Sequence, residues 1–278
     1  MSFDRLAARA RGLGTRSLPE AVGTPRVVET TLRERASAEL ALLARWDASA
    51  LVPLELDEDR RTLRALARGL VANIAPSQRV IGAVPTRTLP HRRLGALANA
   101  SSFAEVRELL GAHPLAPAFD ASELFAVELE LAKRYFARAR LRDRAFAIYI
   151  AQLVDVDNAQ AALLLAARGG DVTLEDVFLA GGERLDRATF LAACGSLVAA
   201  RERLSRTFAK TPVATALFAP GPAAVEDAAL AWQLATQAHL RRVEPLGLAP
   251  VLHFVLRRRE EARRLRRAAW SAVLGGAA

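Results

Sequence analysis

The sequence predicts an all-α protein, and three observations lead there. Ala, Leu, Arg and Glu, all good helix formers, dominate nearly every long segment. The alternation of Val, Ile, Thr and aromatic residues that marks strands is missing. Apolar residues instead recur at helical spacing between breaks marked by Pro and Gly. At 278 residues, 52% of them hydrophobic, the chain has enough apolar material for a sizeable core.

The best single helix runs from Ala121 to Arg140. It follows Pro117 and opens at Asp120, with Glu123 three residues later as a capping box. Its Leu124, Phe125, Val127, Leu129, Leu131, Ala132, Tyr135 and Phe136 cover most of the circumference, which makes it a central core element. A short link leads to the segment Arg144–Ala151, and a further helix from Asn158 to Ala167 stops at Gly169-Gly170. Breaks are expected at Gly82–Pro90, Gly111–Pro117, Gly181-Gly182 and Ala219–Pro222. The last helix begins after Leu248, tolerates Pro250 in its first turn, and carries Val251, Leu252 and Val255 on one face. Arg257, Arg258 and Arg259 interrupt that stripe, which resumes at Ala262, Leu265, Ala269 and Val273.

The chain also echoes itself at about one hundred residues. Asp57, Leu63, Ala67, Arg68 and Gly69 recur as Asp157, Leu163, Ala167, Arg168 and Gly169. Leu110 to Pro114, closed by Phe119, recurs as Phe208 to Pro212, closed by Leu217. A looser third echo lies at Arg259-Glu260-Glu261 leading to Leu265. That spacing fits a repeated subdomain and is too wide for a solenoid.

Charge and composition exclude several classes. The longest unbroken apolar run is Ala161–Ala167, far short of the roughly 18 residues of a membrane span. Charge at Asp4 and Arg5, with no apolar block behind it, argues against a secretory signal, so residence in the cytosol is expected. A single cysteine, Cys194, allows no internal disulfide, and among its apolar neighbours it reads as a small buried side chain. The net charge is +9, and 37 of the 39 basic residues are arginine. Nine of them fall after His239 against three glutamates, which points that arm at an acidic partner or an anionic surface. A basic helical nucleic-acid-binding protein is the competing reading, opposed by the low aromatic content of 6%.

No phosphate-cradling loop is present, since Gly12-Leu13-Gly14 lacks both a third glycine and a preceding strand. His91, His113, His239 and His253 have no neighbouring ligand at metal-site spacing. Asp155, Asp157 and Asn158 interrupt an otherwise apolar stretch. They read as an interhelix turn and N-cap, with Asp57 in the same role in the first copy; the alternative makes them contacts to a partner.

The stretch Val154-Asp155-Val156-Asp157-Asn158-Ala159-Gln160, with the Leu-rich helix that follows, resembles the Asp-x-x-Asn-Leu element of the C-type subunit of prokaryotic V-type (A-type) ATPases and ATP synthases, whose eukaryotic counterpart is the d-type subunit. Glu128 to Phe136 is similar to the family's Glu-x-x-Leu-Asp-x-x-Tyr-Phe helix. Glu244 to Leu252 and Glu260 to Arg266 resemble its closing Pro-x-x-x-x-Pro and Glu-x-x-Asn-Leu-Arg segments. Asp59 to Leu66 and Pro85 to Pro90 fit as well. His253-Phe254 departs from the usual aromatic, Arg264 stands where Asn is common, and Ala166 or Ala167 stands where Arg is usual.

The resemblance implies a funnel of three similar helical lobes about a pseudo-threefold axis, with lobes near 1–85, 86–185 and 186–278. Its mouth would take central shaft subunits of the D and F type, and its base would rest on the cytoplasmic face of the membrane proteolipid c-ring. It would turn with both, as a peripheral rotor component in ion transport, and hydrolyse nothing. No cofactor, small-molecule substrate or nucleic acid is implied. Arg257, Arg258, Arg259, Arg263 and Arg264 are expected at the assembly interface, and Asp57, Asp120, Asp157 and Asn158 are expected as structural caps.

Overall fold

The computed structural model describes residues 3–15, 24–168 and 174–275. Among the described residues the regular structure is entirely helical. In chain order the helices are α1 (Asp4–Gly14), α2 (Pro25–Ala44), α3 (Ala48–Val71), α4 (Pro76–Arg79), α5 (His91–Ala98) and α6 (Phe103–Leu110). A 3-10 helix (Ala116–Asp120) precedes α7 (Leu124–Arg138) and α8 (Arg144–Arg168). Then come α9 (Leu174–Val177), α10 (Arg187–Ala193), α11 (Leu197–Thr207), α12 (Pro212–Ala216), α13 (Pro222–Val243) and α14 (Ala249–Gly275). Two of the sequence-marked breaks, at 82–90 and 181–182, fall in links between helices; that at 111–117 runs into the 3-10 helix, and that at 219–222 ends on the first residue of α13, which Gly221 and Pro222 open.

The order of elements repeats. Two long helices, α2 and α3, are followed by four short elements; α7 and α8 are followed by four more; α13 and α14 form a third long pair. The hundred-residue echo is therefore real, but its register needs correction. Asp47 caps α3 by accepting the Ala50 N–H at 3.0 Å, and Asp143 caps α8 by accepting the Phe146 N–H at 2.9 Å. These caps lie 96 residues apart, as do the buried pair Leu89 and Leu185 just before α5 and α10. The match of Asp57 to Asp157 is thus displaced by four residues, about one helical turn. A one-turn slip preserves the apolar pattern of a Leu/Ala-rich helix, so composition alone cannot reject it. The second echo holds in its own register. The His113 N–H donates to the Leu110 carbonyl and the Thr211 N–H to the Phe208 carbonyl, while Phe119 and Leu217 are both buried.

By compactness the chain divides into two units. The first comprises Phe3–Leu141 and the stretch from Arg257 onward; the second comprises Arg142–Leu256. The reason lies in what the long helices bury. In the first unit α3 packs against α2, α4 and α7, so residues beyond 85 stay with the first helices. The core there includes Leu51, Leu63, Leu66, Val127, Leu131 and Tyr135, all fully buried. In the second unit α8 is covered by α10, α11 and α13. It is apolar nearly all round, and Phe146, Tyr149, Val154 and Ala159 are buried in its middle. Each such large side chain contributes about 1.5–3 kcal/mol by leaving water.

Two helix readings change. The helix expected from Ala121 begins at Leu124, because the 3-10 turn consumes Asp120 and Ala121 is extended. The separate segments Arg144–Ala151 and Asn158–Ala167 are one helix of 25 residues. Asp155, Asp157 and Asn158 therefore sit within a helix, where tertiary partners replace the water that a turn would provide. The expected cap at Gly169-Gly170 lies outside the described residues.

Candidate functional site

Two buried aspartates tie the long helices to the links that follow them. Asp59, the twelfth residue of α3, is fully buried in the first unit. It accepts hydrogen bonds from Thr86 Oγ1 at 2.6 Å, from the Thr88 hydroxyl and from His113 Nε2 at 3.1 Å. The Leu115 N–H donates to His113 Nδ1 at 3.2 Å, so the ring proton sits on Nε2 and faces Asp59. Thr86 Oγ1 in turn accepts the Leu89 N–H at 2.9 Å, which fixes the entry to α5.

Asp155 is the twelfth residue of α8 and plays the same part in the second unit. It accepts the backbone N–H groups of Glu183 at 3.2 Å, Arg184 at 3.1 Å and Leu185 at 3.0 Å. Burial pushes its pKa up, and the three N–H donors oppose that without cancelling it. One turn on, the buried Asn158 grips Leu179 with both ends of its amide, donating to the carbonyl at 2.8 Å and accepting from the N–H at 2.9 Å. The Asp-x-x-Asn element is thus a clamp on residues 179–185. Gly182 belongs to it, because a Cβ there would collide with Asp155 Oδ1.

The four residues expected as caps are placed differently. Asp57 lies inside α3, fully buried, and binds Arg60 at 3.1 Å and Arg259 at 2.7 Å. Asp157 and Asn158 lie inside α8. Asp120 ends the 3-10 helix and pairs with Arg107 at 3.1 Å. The true caps, Asp47 and Asp143, each precede a long apolar-periodic run, a signal that was present in the sequence. The Ala50 N–H, helped by the Ser49 hydroxyl, holds the Asp47 carboxyl below its usual range.

The arginines of α14 meet a row of buried carboxylates from α2 and α3. Arg258 is buried and binds both oxygens of Glu39 at 3.0 Å, with Glu261 at 2.7 Å. Arg259 binds Glu58 and Asp57, each at 2.7 Å. Arg266 reaches Glu29 at 2.8 Å. Arg257 pairs with Glu261 at 3.0 Å and donates to the Gly14 carbonyl at 3.1 Å, while Arg258 also reaches the Leu13 carbonyl at 3.3 Å. Both therefore serve the C-terminal end of α1, where free carbonyls favour a cation. Of the five arginines expected at an interface, Arg257, Arg258 and Arg259 hold carboxylates of their own chain. Arg263 is half-buried and Arg264 is exposed.

The Glu128 to Phe136 segment forms the seam of α7 on α3. Glu128 takes Arg64 at 3.3 Å and also Arg68, and the Arg60 guanidinium lies 5.1 Å from the Tyr135 ring centre and 5.6 Å from that of Phe136. Among the described residues no group of three or more His, Cys, Asp and Glu side chains could hold a metal ion. Cys194 is buried, donates to the Phe190 carbonyl at 3.3 Å, and has its thiol pKa pushed up by burial.

A family model described as ATP synthase (C/AC39) subunit matches residues 25–275, from the first residue of α2 to the last of α14. The chain belongs to the ATP synthase C/AC39 family. No curated protein matches it. The family is one of V-type ATPase and ATP synthase subunits, and the matched residues take in the clamp at Asp155, the α3–α7 seam and the ionic face of α14. No helix among its described residues is long and apolar enough to cross a membrane.

Proposed function

We propose that this chain is the non-catalytic central-rotor subunit of a rotary V-type ATPase or ATP synthase. It is a socket between the central shaft and the proteolipid ring, peripheral to the cytoplasmic face of the membrane, and it transmits torque for proton or sodium transport. The observation that carries the reading is the family match over residues 25–275. The helical build supports it, because torque needs a stiff wall. Long helices joined by buried clamps at Asp59 and Asp155 supply stiffness that isolated surface ion pairs, at about 0–1 kcal/mol each, cannot. Three related lobes would suit such a socket, and the threefold recurrence of a long helix pair supports that arrangement. The nucleic-acid reading, motivated by the basic composition, has no support, and Arg257, Arg258 and Arg259 face carboxylates of the same chain.

Tagging the chain in its native cell and isolating complexes from detergent-solubilised membranes tests this. The shaft subunits and the proteolipid ring are expected to come with it at one copy of this chain per complex. Recovery without either would overturn the reading.

A further inference from the structure

We infer that His113 is an acid-sensitive latch of the first unit: it ties α3 to the link before the 3-10 helix only while its ring is neutral, and a proton on Nδ1 releases Leu115. The ring is almost sealed from water, its side chain 1% exposed and that of Asp59 fully buried. Two partners each claim one of its nitrogens. Nε2 lies 3.1 Å from Asp59 Oδ2, and Nδ1 accepts the Leu115 N–H at 3.2 Å. A neutral imidazole has one N–H donor and one acceptor nitrogen, so this pairing uses both and fixes the tautomer.

A second proton has one place to go. Nδ1 is the remaining basic nitrogen, and the Leu115 N–H already points at it. Once protonated, it would set two N–H groups against each other with no acceptor between them. At Nε2 the same proton turns the contact with Asp59 into an ion pair, with a stronger, charge-assisted hydrogen bond. Half a turn of the ring about its Cβ–Cγ bond is no escape, because it moves Nδ1 from Leu115 but also takes Nε2 from Asp59. The charged ring therefore keeps Asp59 and gives up Leu115. Leu115 is itself fully buried, so its N–H finds a new partner only if the link moves.

That link sets the start of the 3-10 helix (Ala116–Asp120). The His113 N–H donates to the Leu110 carbonyl at 2.9 Å, and its own carbonyl accepts the Ala116 N–H at 2.9 Å. Charges carried by the neighbouring elements are engaged elsewhere. Arg60 on α3 holds Asp57, Arg87 beside Thr86 holds Glu55, Arg107 on α6 holds Asp120, and Arg93 on α5 donates to the Thr88 carbonyl. Among the described residues, Asp59 is the charged group in hydrogen-bond contact with the ring. The second unit is built without this sensitivity. The repeat places Thr211 where His113 stands, and Asn158, whose amide does not titrate, accepts the Leu179 N–H at 2.9 Å.

The test is a pH titration of the full chain by nuclear magnetic resonance, following the His113 ring nitrogens together with hydrogen exchange at the Leu115 amide. At neutral pH the ring proton is expected on Nε2. As acid charges the ring, protection of the Leu115 amide, measured against an unstructured amide at the same pH, should fall by about tenfold or more with the same midpoint, while the Leu179 amide keeps its protection. His113→Asn keeps a side-chain acceptor two residues before Leu115, so Leu115 should stay protected through the same range. A neutral ring with its proton on Nδ1, a charged ring with Leu115 still protected, a ring that stays neutral until the chain unfolds, or an acid response that survives in His113→Asn would overturn the inference. The titration of the unaltered chain decides the matter even where the variant fails to fold.

Discussion

Asp155 holds three consecutive backbone N–H groups, and the approach is so close that residue 182 has room only for hydrogen. Gly182→Ala would drive a methyl group into the carboxylate and force the 179–185 link off its clamp. An overpacked buried site costs about 1–3 kcal/mol, so the variant should unfold at lower denaturant with an unchanged slope. Gly12→Ala, where a Cβ meets nothing within 4 Å on an exposed helix face, should instead be neutral or stabilising by up to about 1 kcal/mol. Equal effects from the two variants would contradict the clamp. At this scale the sequence marked the right residues and misjudged their task. Asp155, Asp157 and Asn158 stood out as polar residues in an apolar stretch, yet a turn and a buried clamp leave the same local signature. The partners of Asp155 lie about 30 residues downstream, beyond anything that local spacing records.

At the scale of the element, α14 changes character along its length. Its first turns bury Val251, Leu252, Phe254 and Leu256, and from Arg257 onward its contacts with α1, α2 and α3 are dominated by arginine. Arg258 and Glu39 are both nearly inaccessible to water, so removing either takes a two-bond partner from a buried charge, although Glu261 still pairs with Arg258 and Arg35 with Glu39. Arg258→Ala should therefore cost about 3–5 kcal/mol, whereas Arg258→Met combined with Glu39→Leu should recover most of that loss. Urea unfolding monitored by far-UV circular dichroism would measure both, and a cost below about 1 kcal/mol for Arg258→Ala would contradict the buried pair. The start of this helix and its arginine cluster were both legible in the sequence. The partners were not, because Glu29, Glu39, Asp57 and Glu58 lie some two hundred residues away and look like ordinary acids of solvated helix faces.

At the scale of the molecule, the all-α class, the breaks and the family were readable from composition, punctuation and short motifs. The repeat was readable in existence but not in register, since a slip of one helical turn leaves the Leu/Ala pattern intact. The two compact units were not readable, because the seam of α7 on α3 depends on Arg60, Arg64 and Arg68 meeting Glu128, Tyr135 and Phe136 across the chain. The same repeat that organises the fold supports the proposed rotor role, which calls for long, stiff helices. Coupling tests that role most directly. Membrane vesicles from cells lacking this chain should lose ATP-driven ion pumping, and adding back the purified chain with the soluble sector should restore it. Vesicles that pump normally without the chain would contradict the account.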